Sequence, residues 1–124
     1  MPRCVLLAAG VALALCAAPL AAAAPDQGES CFRLSDIGGS KLADPSTLYV
    51  RVNGSRVFRI EFENPCPSAS TYSLIMHPVN NDDMICRAIE LNVSVRDTHE
   101  SCPPKSLTEL TPAQVAALPA NVRP

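Results

Sequence analysis

Apolar and polar side chains alternate from Leu48 to Phe62, and the other segments can be arranged around that stretch. Leu48, Val50 and Val52 alternate with Tyr49 and Arg51. Beyond Asn53-Gly54, Phe58, Ile60 and Phe62 alternate with Arg59, Glu61 and Glu63. Period two marks half-buried strands, and Asn-Gly between two such runs is the strongest short-range hairpin signal. A two-residue loop would split the apolar set between two faces and set Arg51 against Arg56. A three-residue loop, Val52-Asn53-Gly54, pairs Leu48 with Phe58 and keeps one face apolar. It also places Gly54 in the left-handed region, which glycine enters at little cost. The three-residue loop is therefore expected. The opposite face, with Tyr49, Arg51, Arg59, Glu61 and Glu63, is expected to be solvated and crossed by ion pairs between strands.

The remaining segments add shorter elements. Cys31 to Ile37 reads as a first strand ended by Gly38-Gly39-Ser40, and Asp44-Pro45-Ser46 as a turn. Glu63 to Ser70 holds Pro65 and Pro67 astride Cys66, which predicts a rigid loop pinned by a disulfide. Thr71 to Met76 is a strand stopped by His77-Pro78, and Asn80-Asn-Asp-Asp83 is a turn. Met84 to Val95 predicts one long strand with Ile85, Ile89, Leu91, Val93 and Val95 on a buried face. Arg96 to His99 turns the chain, and the return through Cys102 is expected to stop at Pro103-Pro104. Near the end, Thr111 can cap a helix with Pro112 in its first position and Gln114 completing a capping box. That helix, Ala113 to Leu118, is expected to dock Val115 and Leu118 on the sheet. The fold class is mainly β: a small antiparallel sheet or partly open barrel of about five to six strands with a short C-terminal helix.

The amino terminus carries Arg3, an apolar run from Val5 to Leu15 and an Ala-rich tract to Ala24. This predicts a secretory signal peptide, residues 1–23, cut after Ala23, since Pro25 disfavours cleavage just before it. The run is too short for a comfortable membrane span. Leu15 occupies the place where lipidation of Cys16 calls for a small residue. The domain plan is then a removed leader, a flexible segment at 24–30, one β-domain at 31–118 and a tail at 119–124.

Removing the leader takes Arg3 from the ten basic residues and leaves nine against twelve acidic ones, a net charge of −3. An acidic chain without Trp lacks both the basic stripe and the stacking platform that nucleic acid requires. Nor does it suit an anionic membrane surface. The four remaining cysteines, Cys31, Cys66, Cys86 and Cys102, predict two disulfides in a small exported chain. In a simple meander Cys31 lies level with the hairpin tip and Cys66 beyond its open end. Several residues of strand separate them, too far for a disulfide. Pairing Cys31 with Cys66 and Cys86 with Cys102 is therefore disfavoured, and the other two connectivities stay open.

Candidate chemistry is sparse. His77 and His99 fall in predicted turns, with no nucleophile pattern beside either. No Cys-x-x-Cys, Gly-x-Ser-x-Gly or His-Glu-x-x-His motif occurs. Asn80 to Asp83 lacks the alternating acids, glycine and glutamate of a calcium loop. Glu61 and Glu90 could meet as a carboxylate pair, the basis of a hydrolase reading. Asn53-Gly-Ser and Asn92-Val-Ser match the glycosylation acceptor pattern, which matters only in a eukaryotic secretory route.

The order Cys31-Phe-Arg-Leu-Ser-Asp-Ile, Asp44-Pro-Ser-Thr-Leu, Arg56-Val-Phe-Arg, Cys66-Pro67, Ile85-Cys86 and a last Cys102 resembles a family of small exported bacterial proteins known only as a domain of unknown function. The chain departs from the family pattern at Ser68-Ala69, where Gly-Leu is expected, and at Arg87-Ala88, where Gly-Asp or Ser-Asp is expected. The resemblance implies a periplasmic or secreted, disulfide-bonded β-domain and assigns no activity. The expectation is a monomeric, cofactor-free, non-catalytic domain with no metal site, binding an unknown protein or envelope ligand. One alternative is an inhibitor of a lysozyme- or protease-type enzyme that uses Asn64, Pro65 and Pro67 as its contact loop. The other is the carboxylate hydrolase.

Overall fold

A computed structural model describes residues 30–124. The leader, its cleavage site, Cys16 and residues 24–29 lie outside the described residues. Eight strands and one helix follow in order: β1 (Phe32–Arg33), β2 (Ile37–Asp44), β3 (Thr47–Val52), β4 (Arg56–Phe62), β5 (Leu74–Pro78), β6 (Met84–Ile85), β7 (Leu91–Val95), β8 (Pro104–Glu109) and α1 (Pro112–Ala117). All ladders are antiparallel: a four-stranded sheet in the order β2-β3-β4-β8, and two pairs, β5-β7 and β1-β6. Leu48, Val50, Val52, Phe58, Ile60 and Phe62 of the large sheet meet Phe32, Ile85, Leu91, Val93 and Val95 in one buried cluster. The result is an open two-layer arrangement with no closed barrel, held by disulfides Cys31–Cys86 and Cys66–Cys102. This is one of the two connectivities left open by the sequence, and it ties early strands to late ones. Disulfides persist in oxidising compartments, so the pair points to an extracytoplasmic location.

The hairpin loop has three residues, as expected, but they are Asn53, Gly54 and Ser55. Val52 faces Arg56, and Leu48 faces Ile60 rather than Phe58. A slip of two positions keeps every side chain on its face. It also lets both Asn53 (φ 52°) and Gly54 (φ 84°) take left-handed geometry in the loop.

Five other expectations are corrected. First, Cys31 to Ile37 is not one strand: β1 gives way to a 3-10 turn at Leu34–Asp36, whose Leu34 amide donates to the Asp83 carbonyl at 3.1 Å. Second, Gly38 and Gly39 do not end a strand but lie within β2 at a register shift. There the Arg51 guanidinium lies against them and donates to the Gly38 carbonyl at 3.1 Å. A Cβ on Gly39 would stand 3.1 Å from Arg51 Nη2, a tight contact that the guanidinium must relieve by moving a few tenths of an ångström. Third, Met84 to Val95 is broken. Glu90 Oε2 accepts from the Cys86 and Arg87 amides at 2.8 and 3.0 Å, the chain bends through a 3-10 turn at Ala88–Glu90, and Ile89 is 76% exposed. Fourth, Pro104 does not stop pairing. It opens β8 where the ladder register shifts, and the proline-free run behind it pairs with β4. Fifth, His77 and Pro78 belong to β5, opposite Asn92 and Leu91.

At the carboxyl end the expected helix cap is present. Thr111 and Gln114 form the reciprocal capping box, with bonds of 3.2 and 2.8 Å, and Pro112 opens α1. Val115 and Leu118 are half-buried. The tail is not loose: Arg123 donates to the carbonyls of Ala116 and Leu118 at 3.1 and 2.7 Å and closes the helix end.

Candidate functional site

The rigid loop predicted around Cys66 lies at the open end of the β3–β4 hairpin, and its support can be read bond by bond. Cys66 is buried and joined to Cys102, and its amide donates to the Pro45 carbonyl at 2.7 Å. The Glu63 amide donates to the Pro103 carbonyl at 2.9 Å, and the Ser68 amide to Glu100 Oε2 at 3.3 Å. Pro67 starts a 3-10 turn through Ser70, whose hydroxyl donates back to the Pro67 carbonyl at 2.8 Å. Backbone polar groups along this loop are thus bonded to two other segments, the turn at Pro45 and the stretch 100–103. Asn64, Pro65 and Pro67 are exposed on it, and Tyr72, which follows, is 43% exposed. Prolines and a disulfide fix the backbone while the side chains face outward, an arrangement that binds at low ordering cost.

A second polar centre was not anticipated. By strand parity Arg56 lies on the apolar face with Phe58 and Ile60, and Glu109 lies opposite Phe58 on the same face. Arg56 Nε and Nη2 hold the two Glu109 oxygens at 2.6 and 3.2 Å. The guanidinium also donates to the Cys31 carbonyl at 3.3 Å and lies 5.1 Å from the Phe58 ring centre. Ser30, expected in a loose segment, donates its hydroxyl to Glu109. The hydrogen bond from Arg56 holds the Glu109 carboxyl below its ordinary range, against partial burial and with help from Ser30. The same bond holds Arg56 above its ordinary value. An inward parity position for Arg56 was visible in the sequence, but no local pattern names a partner 53 residues away.

Beside this pair, Ser55, Leu110, Pro112, Val115, Ala116 and Arg123 line an open cleft of about 400 Å³ together with Arg56 and Glu109. Both of its cations are engaged within the chain, Arg56 by Glu109 and Arg123 by the α1 carbonyls.

The remaining candidates fall into separate surroundings. Asp83 Oδ2 accepts from the Ser35 hydroxyl at 2.7 Å and Asp82 Oδ1 from the Met84 amide at 3.1 Å, so the Asn80–Asp83 turn braces the chain. Among the described residues no group of three or more His, Cys, Asp or Glu is placed to hold a metal ion. His99 sits in its turn with φ 57°, exposed, and His77 is exposed on β5. Glu61 accepts from the Ser106 hydroxyl at 3.1 Å, whereas Glu90 is occupied by Cys86 and Arg87. Those two backbone bonds and the Arg87 side chain hold Glu90 below the ordinary carboxylate range. The two carboxylates therefore serve different networks. On the outer face of the large sheet the ion pair is Arg59 with Glu61 at 3.5 Å, along β4 rather than across strands as expected.

Among the described residues no helix is long and apolar enough to cross a membrane. No family model, curated protein or solved structure matches this chain.

Proposed function

We propose that the chain is a periplasmic or secreted bacterial domain without catalytic activity, which presents its clamped loop, residues 63–70, to a protein partner in the cell envelope. The observation that carries this reading is the backbone support of the loop combined with the outward placement of Asn64, Pro65 and Pro67. The titratable groups held away from their ordinary values, Arg56, Glu90 and Glu109, are each tied to structural bonds, which accords with a scaffold role. The resemblance to exported domains of unknown function supports the location. The residues that depart from that pattern, Ser68-Ala69 and Arg87-Ala88, fall at two of the three 3-10 turns, outside the ladders.

A photo-reactive residue at position 64 tests the reading in the native envelope, with the exposed Val79 as a control position. A discrete adduct from position 64 alone is expected. No adduct, or the same adducts from both positions, overturns the loop assignment.

Inhibition of a lysozyme- or protease-type enzyme is the second reading, favoured by the same preorganised loop. Pro65→Gly and Pro67→Gly should weaken inhibition in a domain that keeps both disulfides. Inhibition at full strength in both variants removes the loop from that role.

A further inference from the structure

The outer face of the four-stranded sheet is more specific than a solvated surface. Register places Lys41, Tyr49, Arg59 and Thr108 in one row across β2, β3, β4 and β8. The adjacent rows add Arg51 on one side, and Asp44, Thr47, Glu61 and Ser106 on the other. Three cations thus lie beside two carboxylates, Asp44 and Glu61, an excess of one positive charge on a chain whose net charge is −2. They are weakly neutralised: Arg59 reaches Glu61 only at 3.5 Å, Arg51 donates to a carbonyl, and no ion pair involving Lys41 occurs among the described residues. Arg51 and Arg59 are diagonal neighbours on one face, close enough for both long side chains to reach one bound group.

Adjacent strands lie about 4.8 Å apart, so the Lys41 and Arg59 backbones stand about 10 Å apart on either side of Tyr49. The spacing leaves the aromatic ring between two anion-binding groups, with the hydroxyls of Thr47, Ser106 and Thr108 alongside. We propose that this face binds an acidic polysaccharide, with a sugar ring on Tyr49 and carboxylates of the chain bracketed by Lys41 and Arg59. Charge complementarity supplies the attraction, the ring gives the sugar an apolar surface, and the hydroxyls match a polyol. A lipid surface fits less well, because this face carries no cluster of exposed large apolar side chains to enter a bilayer. The site is separate from the loop at 63–70, so either assignment can fail alone.

Binding of polygalacturonate to the mature protein at low ionic strength tests the proposal, with neutral dextran and phosphatidylglycerol vesicles as competing probes. Polygalacturonate should bind and dextran should not. Lys41→Gln combined with Arg59→Gln should weaken binding about tenfold, as expected for two exposed charge contacts. Tyr49→Ala should weaken it about fivefold, with Tyr49→Phe close to the parent. Arg33→Gln combined with Arg96→Gln removes the same charge elsewhere and should leave binding nearly unchanged. Absence of polygalacturonate binding, equal losses from the two charge pairs, no effect of Tyr49→Ala, or tighter binding to the vesicles overturns the proposal.

Discussion

Replacing Glu109 by Gln tests whether the inward-facing ion pair contributes to stability. Glu109 is 28% exposed and Arg56 35% exposed, and the two meet through two nitrogen–oxygen contacts. A hydrogen bond to a charged group contributes about 1.5–3 kcal/mol when well buried. At this exposure solvent screening reduces it, so about 1–2 kcal/mol is expected for Glu109→Gln at neutral pH. With a urea m-value of about 1–2 kcal/mol/M, the midpoint should fall by roughly 1 M. Arg56→Met should cost slightly more, because the Cys31 carbonyl loses its donor and the Phe58 ring its cation. In a double-mutant cycle the coupling between the two sites should be about 1 kcal/mol.

The pH dependence gives the sharper check. Glu109 has a lowered folded-state value, so its contribution is present above the unfolded glutamate range and is lost as pH falls through the folded value. The Arg56 value is raised but lies far above this window and adds no slope. The difference between parent and Glu109→Gln should therefore shrink toward zero in acid. A difference that persists unchanged below the carboxylate range, or a cycle with no coupling, would refute the account.

Ile85 and Ile89 separate the broken strand from the continuous one that periodicity predicts. Ile85→Ala should cost about 2–5 kcal/mol and Ile89→Ala under about 0.5 kcal/mol, read from urea midpoints. Gly54→Ala should lower stability by about 1–2 kcal/mol through backbone strain alone, because a Cβ there meets nothing within 4 Å. Equal stability of parent and variant would show that Gly54 does not hold its left-handed conformation. Removing either disulfide as a Cys-to-Ala pair should cost about 2–4 kcal/mol. The 55- and 36-residue separations predict losses within about 0.4 kcal/mol of each other on chain entropy. Peptide mapping without reductant should recover Cys31 with Cys86 and Cys66 with Cys102.

What could be read from the sequence was whatever repeats locally. The alternation of Leu48 to Phe62 fixed which face is buried, but it cannot distinguish registers two positions apart. Only the turn geometry of Asn53 and Gly54 does that. The capping box at Thr111 was legible because both of its bonds close within three residues. The break at Cys86–Glu90 was hidden, because Ile85, Ile89 and Leu91 keep period two by coincidence while Glu90 binds the amides behind it. Gly38 and Gly39 read as punctuation until Arg51 is seen against them, and Pro103-Pro104 masked β8. The loop around Cys66 was legible from its prolines. The Arg56–Glu109 pair and the row from Lys41 to Thr108 were not, since both depend on β8 lying beside β4.

The same neighbour relation governs assembly of the chain. Strand β4 is complete at Phe62, yet its second partner begins only at Pro104, after β5, β6 and β7 have been made. A growing chain, made amino end first, therefore carries the open edge of β4 with Phe58 and Ile60 until residues 104–109 arrive. An unpaired edge recruits other strands, and late non-local pairing slows folding. Cys102 lies two residues before β8, so its bridge to Cys66 delivers the missing strand to the end of β4 where Phe62 meets Pro104. Oxidation at that bridge thus marks the moment when the central sheet can close, and a chain truncated before Cys102 is left prone to aggregation.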